Sequence, residues 1–148
     1  RQGYAAAKEP DKDALSDIGK GLIVSEGEDI TIVTWGAMVQ KSIEAANICD
    51  ASVEIIDIRY LYPLDFNLIA ESVKKTNKVI VVHEDNMNNG FGAEIVARIS
   101  DQCFEHLDAP VKRVASKDYP IAYSSVLENE ILVQTDWICD AVKESLAY

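Results

Sequence analysis

The sequence predicts a three-layer α/β/α sandwich: a five-stranded, mostly parallel sheet with one antiparallel edge strand and helices on both faces. Two observations predict it. From Ile30 onward, strand-length segments alternate with segments of helical period, an order that calls for crossover connections and hence parallel strands. The strand segments are also continuous apolar runs, as expected when both faces of a sheet are buried.

The elements follow in order. Gly21-Leu22-Ile23-Val24 is a short strand, and Ile30 to Trp35 is a second, β-branched and apolar. Gly27-Glu28-Asp29 joins them too tightly for a helix, so this pair is expected to be antiparallel at a sheet edge. Val39, Ile43 and Ala46 then recur at helical spacing. Val53 to Ile58 is the third strand. Asp65 can cap a helix whose inner face is Phe66, Ile69 and Val73. Val79 to Val82 is the fourth strand. A helix from Gly92 to about Leu107 places Val96, Ile99, Cys103 and Leu107 on one face, and Val111 to Ala115 is the fifth strand. Ser125 and Glu128 have capping-box spacing and mark the start of a short helix. The last helix runs from about Asp136 to Leu146, with Ile138, Val142 and Leu146 inward.

Residues 1–19 differ from the rest. Lys8 to Asp17 is polar and lacks apolar periodicity, so the segment reads as an exposed linker following another domain, with residues 20–148 forming the folded unit. No apolar run approaches the ~20 residues of a membrane span. Twenty-five acids against 14 bases give a formal charge of −11. That balance argues against nucleic-acid binding, which needs cations to displace counterions, and suits a basic protein partner. The three cysteines, Cys49, Cys103 and Cys139, are far apart and sit among apolar residues. They are expected to be buried free thiols of a reducing compartment. His83 and His106 have no partner at metal-ligand spacing.

Ligands of open parallel sheets bind at the C-terminal strand ends. Here these ends carry Trp35-Gly36, Asp57-Ile58-Arg59 and His83-Glu84-Asp85, the last followed by Asn88-Asn89-Gly90-Phe91-Gly92. Gly90 and Gly92 before a helix suggest a phosphate cradle. However, Glu84, Asp85 and Glu94 crowd that loop. Two like charges ~5 Å apart at an effective dielectric near 20 repel by roughly 3 kcal/mol, more than the ~1 kcal/mol a helix N-terminus returns. The glycines are better read as allowing close packing on the sheet. Adjacent strand residues face opposite sides, so Glu84 is poorly placed to orient His83 as a general base. His83 and Glu84 are therefore read as structural or interface residues. Arg59 is expected to pair with Asp57, Asp65 or Glu84, or to hold a partner carboxylate. Trp137, on the flank of the last helix, Tyr148 at the chain end and Asp108 in the turn before the fifth strand combine aromatics with acids. That combination suits docking of a cationic partner.

Several segments resemble one family. Asp57-Ile58-Arg59-Tyr60-Leu61-Tyr62-Pro63-Leu64-Asp65 is similar to the strand-loop-helix segment of transketolase-type C-terminal domains. His83-Glu84 with Gly90-Phe91-Gly92-Ala93-Glu94, Leu107 to Val114, and Ile30 to Gly36 resemble the versions found in β subunits of thiamine-diphosphate-dependent 2-oxoacid dehydrogenases. The similarity runs in order from about Gly19 to the end, and Arg1 to Ala7 resembles the tail of the preceding pyrimidine-binding domain. The resemblance implies a five-stranded α/β/α domain with one antiparallel strand. It implies a parent enzyme that decarboxylates a 2-oxoacid on thiamine diphosphate and magnesium, held outside this chain, and passes the acyl group to a lipoyl arm. The implied partners are a second β subunit, the α subunit or α domain, and the basic subunit-binding domain of the acyltransferase core. The implied compartment is the cytoplasm or the mitochondrial matrix. No residue here matches the cofactor-activating glutamate, so no catalytic, cofactor or metal role is carried over. Asn86 to Asn89 departs from the Ala-Pro-Lys-Thr type of loop of the family. Two other readings stand beside this one: the C-terminal domain of a transketolase or deoxyxylulose-phosphate synthase, and a stand-alone nucleotide-binding module using Gly90 and Gly92.

Overall fold

A computed structural model describes residues 17–148. The linker expected over residues 1–19 therefore lies almost wholly outside the described residues. The elements are β1 (Leu22–Ser25), β2 (Ile30–Thr34), α1 (Ala37–Ile48), β3 (Val53–Asp57), α2 (Phe66–Thr76), β4 (Val79–Asn86) and α3 (Gly92–Gln102). A 3-10 turn (Phe104–His106), β5 (Lys112–Ser116), α4 (Ser125–Ile131) and α5 (Thr135–Leu146) complete the chain.

The sheet order is β1-β3-β2-β4-β5. Strands β3, β2, β4 and β5 are parallel, and β1 is antiparallel at the edge. Alternation along the strands splits the core in two. Ile30, Ile32, Ile55, Ile80 and Val82 pack with Met38 and Ala45 of α1 and with Ile138 and Val142 of α5. Val33, Ile56, Val79 and Val81 pack with Ile69 and Val73 of α2 and with Ile95 and Ile99 of α3. The three layers follow from this division. Among the described residues no helix is long and apolar enough to cross a membrane.

The expected pairing of β1 with β2 is corrected. β1 is antiparallel, but its partner is β3, with Leu22 opposite Asp57 and Ile23 opposite Ile56. The short connection does not turn back as a hairpin. It crosses the start of β3, where the N–H groups of Glu28 and Asp29 donate to the Ser52 carbonyl and Ser52 N–H donates to Asp29. Gly27 makes the crossing possible, because a Cβ there would lie 2.1 Å from the Val53 carbonyl carbon.

Smaller corrections have local causes. The helix expected to reach Leu107 ends at Gln102, and Cys103 leads into the 3-10 turn. The short helix α4 is preceded by Ser124 as N-cap, with no side-chain cap bond, so the Ser125/Glu128 capping box does not form. Asp65 does cap α2, accepting from Leu68 N–H at 3.4 Å, and it also accepts from Gly21 N–H at 3.3 Å. Finally, two of the three cysteines expected to be free are paired. Cys49 and Cys139 form a disulfide between α1 and α5, their Cα atoms 6.0 Å apart. The sequence conceals this pairing because 90 residues separate the two.

Candidate functional site

In a doubly wound sheet, the crevice for a ligand opens where successive crossovers diverge. Here that point lies between β2 and β4. The crossover from β2 goes through α1 to β3 on one side, and that from β4 goes through α3 to β5 on the other. Thr34 pairs with Val82, so Trp35 and His83 are the next residues along the two neighbouring strands. Both side chains point to the α2/α3 face.

The two rings fill the crevice. The Trp35 indole stacks on the His83 imidazole with centroids 5.5 Å apart and planes 5° from parallel. Phe91 meets the indole edge-on at 6.1 Å. The start of α3 closes the remaining side. A Cβ on Gly92 would lie 2.2 Å from His83 Cδ2, and one on Gly90 would lie 2.6 Å from His83 Cε1. These glycines are thus pressed against the His83 imidazole. His83 is fully buried, and neither ring nitrogen has a hydrogen-bond partner among the described residues. Burial and the nearby Arg113 guanidinium push its pKa below the usual histidine value, with Asp85 opposing them.

The other residues singled out at the strand ends do not join this cluster. Glu84 is exposed and on the opposite face, and its carbonyl accepts from Ser116 Oγ at 2.7 Å. Arg59 lies at the end of β3 with a positive φ of 55°. Its own N–H donates to Asp57 Oδ1 at 3.0 Å, and its guanidinium lies 4.0 Å from the same carboxylate. Among the described residues no group of three or more His, Cys, Asp or Glu could hold a metal ion. Trp35 and Phe91 are the cluster members that the sequence reading passed over. Their signal was an aromatic at the end of β2 and another immediately before α3, on the two segments that flank the switch point.

The three aromatic and acidic residues expected to face a partner lie around β5 and α5. Trp137 is on the first turn of α5, partly covered, with Lys117 Nζ 5.2 Å from the ring centroid. Tyr148 is 69% exposed. Lys112 at the start of β5 pairs with Glu144 near the end of α5, so the C-terminus of α5 lies by the β5 entry, where Asp108 is exposed. Asp108 precedes the β5 entry, its N–H donating to the Asn77 carbonyl at the end of α2, and Tyr148 follows the C-terminus of α5. Trp137 is at the other end of that helix, ~16 Å away along its axis at 1.5 Å per residue. Along the helix Asp136, Asp140 and Glu144 recur every four residues, a single acidic stripe.

A second polar cluster sits at the N-terminal end of the sheet. Glu54 on β3 is 1% exposed; it accepts from Ser72 Oγ and from Lys75 Nζ, the latter at 2.6 Å. Thr31 extends the chain of hydroxyls to Ser72 at 2.6 Å and Thr76 at 2.7 Å. Burial alone would raise the Glu54 pKa, but the bonds from Lys75 and Ser72 outweigh it and hold the carboxyl below its usual range.

The family described as "Transketolase, C-terminal domain" matches residues 19–138. The chain is 42% identical to a mitochondrial pyruvate dehydrogenase E1 component subunit beta of Dictyostelium discoideum over 139 residues, covering 92% of this chain and 39% of that protein. It is 37% identical to the subunit of the same name in Cyanidium caldarium over 142 residues, covering 94% and 43%. The subunit of the same name in Staphylococcus aureus is 40% identical over 144 residues, again covering 94% and 43%. The chain therefore spans about two fifths of the length of these curated relatives. A solved structure described as a split-gene transketolase, an inactive β4 tetramer, superposes with a TM-score of 0.79 at 24% identity. It covers 95% of this chain and 46% of that one.

Proposed function

The chain belongs to the transketolase C-terminal domain family, and we propose that it serves as the assembly and partner-docking domain of a 2-oxoacid dehydrogenase β subunit. The relatives at about 40% identity bear the name of such a subunit. The observation that carries the reading is the filled crevice. Where this fold would seat a ligand, Trp35, His83 and Phe91 pack against one another and Gly90 and Gly92 close over them. Exposed acids and partly exposed aromatics also lie away from the crevice, on α5 and at the entry to β5.

In this reading thiamine diphosphate and magnesium belong to other parts of the parent enzyme. The residues at the crevice do not fit that group. The first turn of α3 faces the His83 ring, and Glu84, Asp85 and Glu94 would repel a diphosphate. The parent pairs with a second β subunit and with an α subunit, and Asp108, the α5 stripe, Trp137 and Tyr148 receive the basic subunit-binding domain of the acyltransferase. Acids with partly exposed aromatics are suited to a cationic surface, with charge setting orientation and the rings supplying buried area. A transketolase-type parent is the second reading, favoured by the shared fold.

Calorimetric titration with the basic subunit-binding domain of a pyruvate dehydrogenase acyltransferase tests the proposal. Screening shortens from ~10 Å at 0.1 M salt to ~3 Å at 1 M, so binding is expected to weaken at least tenfold over that range. Absence of binding at low salt would favour the transketolase-type parent.

A further inference from the structure

The first and last helices described here are joined by a covalent link for which the docking reading has no use. Cys49 ends α1, its N–H donating to the Ala45 carbonyl, and Cys139 lies on the buried face of α5. Their Cα atoms are 6.0 Å apart, inside the range a disulfide spans. Both belong to the core cluster on the α1/α5 side, whereas Cys103 belongs to the cluster on the other face of the sheet. Only one pairing within a chain is therefore open to these thiols.

What the link holds is the last helix, which packs on the α1 side of the core through Ile138, Cys139 and Val142 but follows a thinly packed segment. α5 follows α4, which buries no residue. The segment from Tyr119 to Leu127 leaves Tyr119, Ile121, Tyr123, Val126 and Leu127 more than half exposed. A 12-residue helix is marginal without tertiary contacts, so α5 depends on its packing against α1 and the sheet. Local openings are concentrated in such segments. A bond from Cys139 to the end of α1 removes every opening that separates the two helices.

We propose that Cys49 and Cys139 form a reversible redox modification site, through which a low-molecular-weight disulfide clamps the C-terminal helix onto α1. In the reduced chain Cys49 loses its proton to water, and its thiolate attacks one sulfur of oxidised glutathione. The oxidant's S–S bond breaks, one glutathione thiolate leaves, and a mixed disulfide remains on Cys49. Cys139, deprotonated in turn, attacks the Cys49 sulfur and releases the second glutathione. Two protein thiols are oxidised and one disulfide is reduced to two thiols; excess reduced glutathione drives the reverse. Cys49 is the entry point: at 9% against 5% exposed it is the less buried of the two, it ends its helix in extended backbone beside the exposed Ile48, and glutathione reaches it when α5 opens.

The test uses the full chain equilibrated in glutathione buffers of graded ratio, acid-quenched, denatured and alkylated, with thiols counted by intact mass. Three alkylated thiols are expected under reducing conditions and one, Cys103, under oxidising conditions, in a single two-electron transition. The oxidised form is expected to melt about 10 °C higher, with α5 amides exchanging at least tenfold more slowly. Cys103→Ser should leave the transition intact, and Cys139→Ser should abolish it. Three alkylatable thiols at every ratio, a persistent glutathione adduct, or disulfide-linked dimers would each overturn the proposal. The count on the unmodified chain decides it even if Cys139→Ser fails to fold.

Discussion

The indole of Trp35 lies parallel to the imidazole of His83, 5.5 Å away, across the point where the two halves of the sheet diverge. One consequence of this contact is steric. Gly92→Ala would drive a methyl group into the ring, 2.2 Å from Cδ2, and neither a strand residue nor the start of α3 can easily yield. Overpacking of this kind costs about 3 kcal/mol, measurable by denaturant unfolding. Adding His83→Ala should recover at least 1 kcal/mol of that loss as a coupling between the two positions.

A second consequence is pH dependence. The His83 pKa is lowered in the folded chain by burial first and Arg113 second. Below the ordinary value of about 6.5 the unfolded chain therefore takes up a proton that the folded chain resists. The stability contributed by neutral His83 is full above that value and is lost as the pH falls toward the depressed folded value. Thermal melts from pH 8 to pH 5.5 should show a decline that His83→Gln flattens.

Glu54 gives a separate acid transition. Its lowered pKa makes its contribution present above the usual carboxylate value, and that contribution is lost as the pH falls through the folded one. Glu54→Ala removes the acceptor for Ser72 and Lys75 at a buried position. The expected loss is about 2–3 kcal/mol by chemical denaturation, with Glu54→Gln costing less. Lys75→Met should act in the same direction, because it strips the cation from the buried carboxylate.

Much of this was legible in the sequence, and the reasons differ from residue to residue. The layers were readable because Ile32, Ile55 and Ile80 sit in runs apolar on both faces. The Asp65 cap was readable because capping is local. The role of Gly90 and Gly92 was half readable: crowding by acids argued against a phosphate, but the His83 ring that fills the space is a contact between distant segments. The partner of β1 was misread for the same reason. Tight joining of β1 to β2 resembles a hairpin, and only the passage of Gly27 over Val53 shows that a third strand lies between. The Thr31–Ser72–Thr76 hydroxyl chain and the Cys49–Cys139 link likewise depend on register between remote elements.

The surface around α5 carries the functional expectation. Asp108→Asn and removal of Tyr148 touch exposed groups, so each should leave the melting temperature within about 2 °C. Each should weaken the basic domain roughly three- to tenfold in calorimetry at 0.1 M salt, and combining them should weaken it further. Glu84→Gln, exposed at the other end of the parallel strands, should have no effect on that affinity.

The most direct test is a two-dimensional NMR titration of the labelled chain with the basic subunit-binding domain. The amides of α5 and those flanking Asp108 and Tyr148 are expected to shift, while Trp35, Gly36, His83 and Gly90 to Gly92 stay in place. Shifts concentrated at Trp35, His83 and the glycines, with α5 unmoved, would contradict the division between a filled crevice and a docking surface.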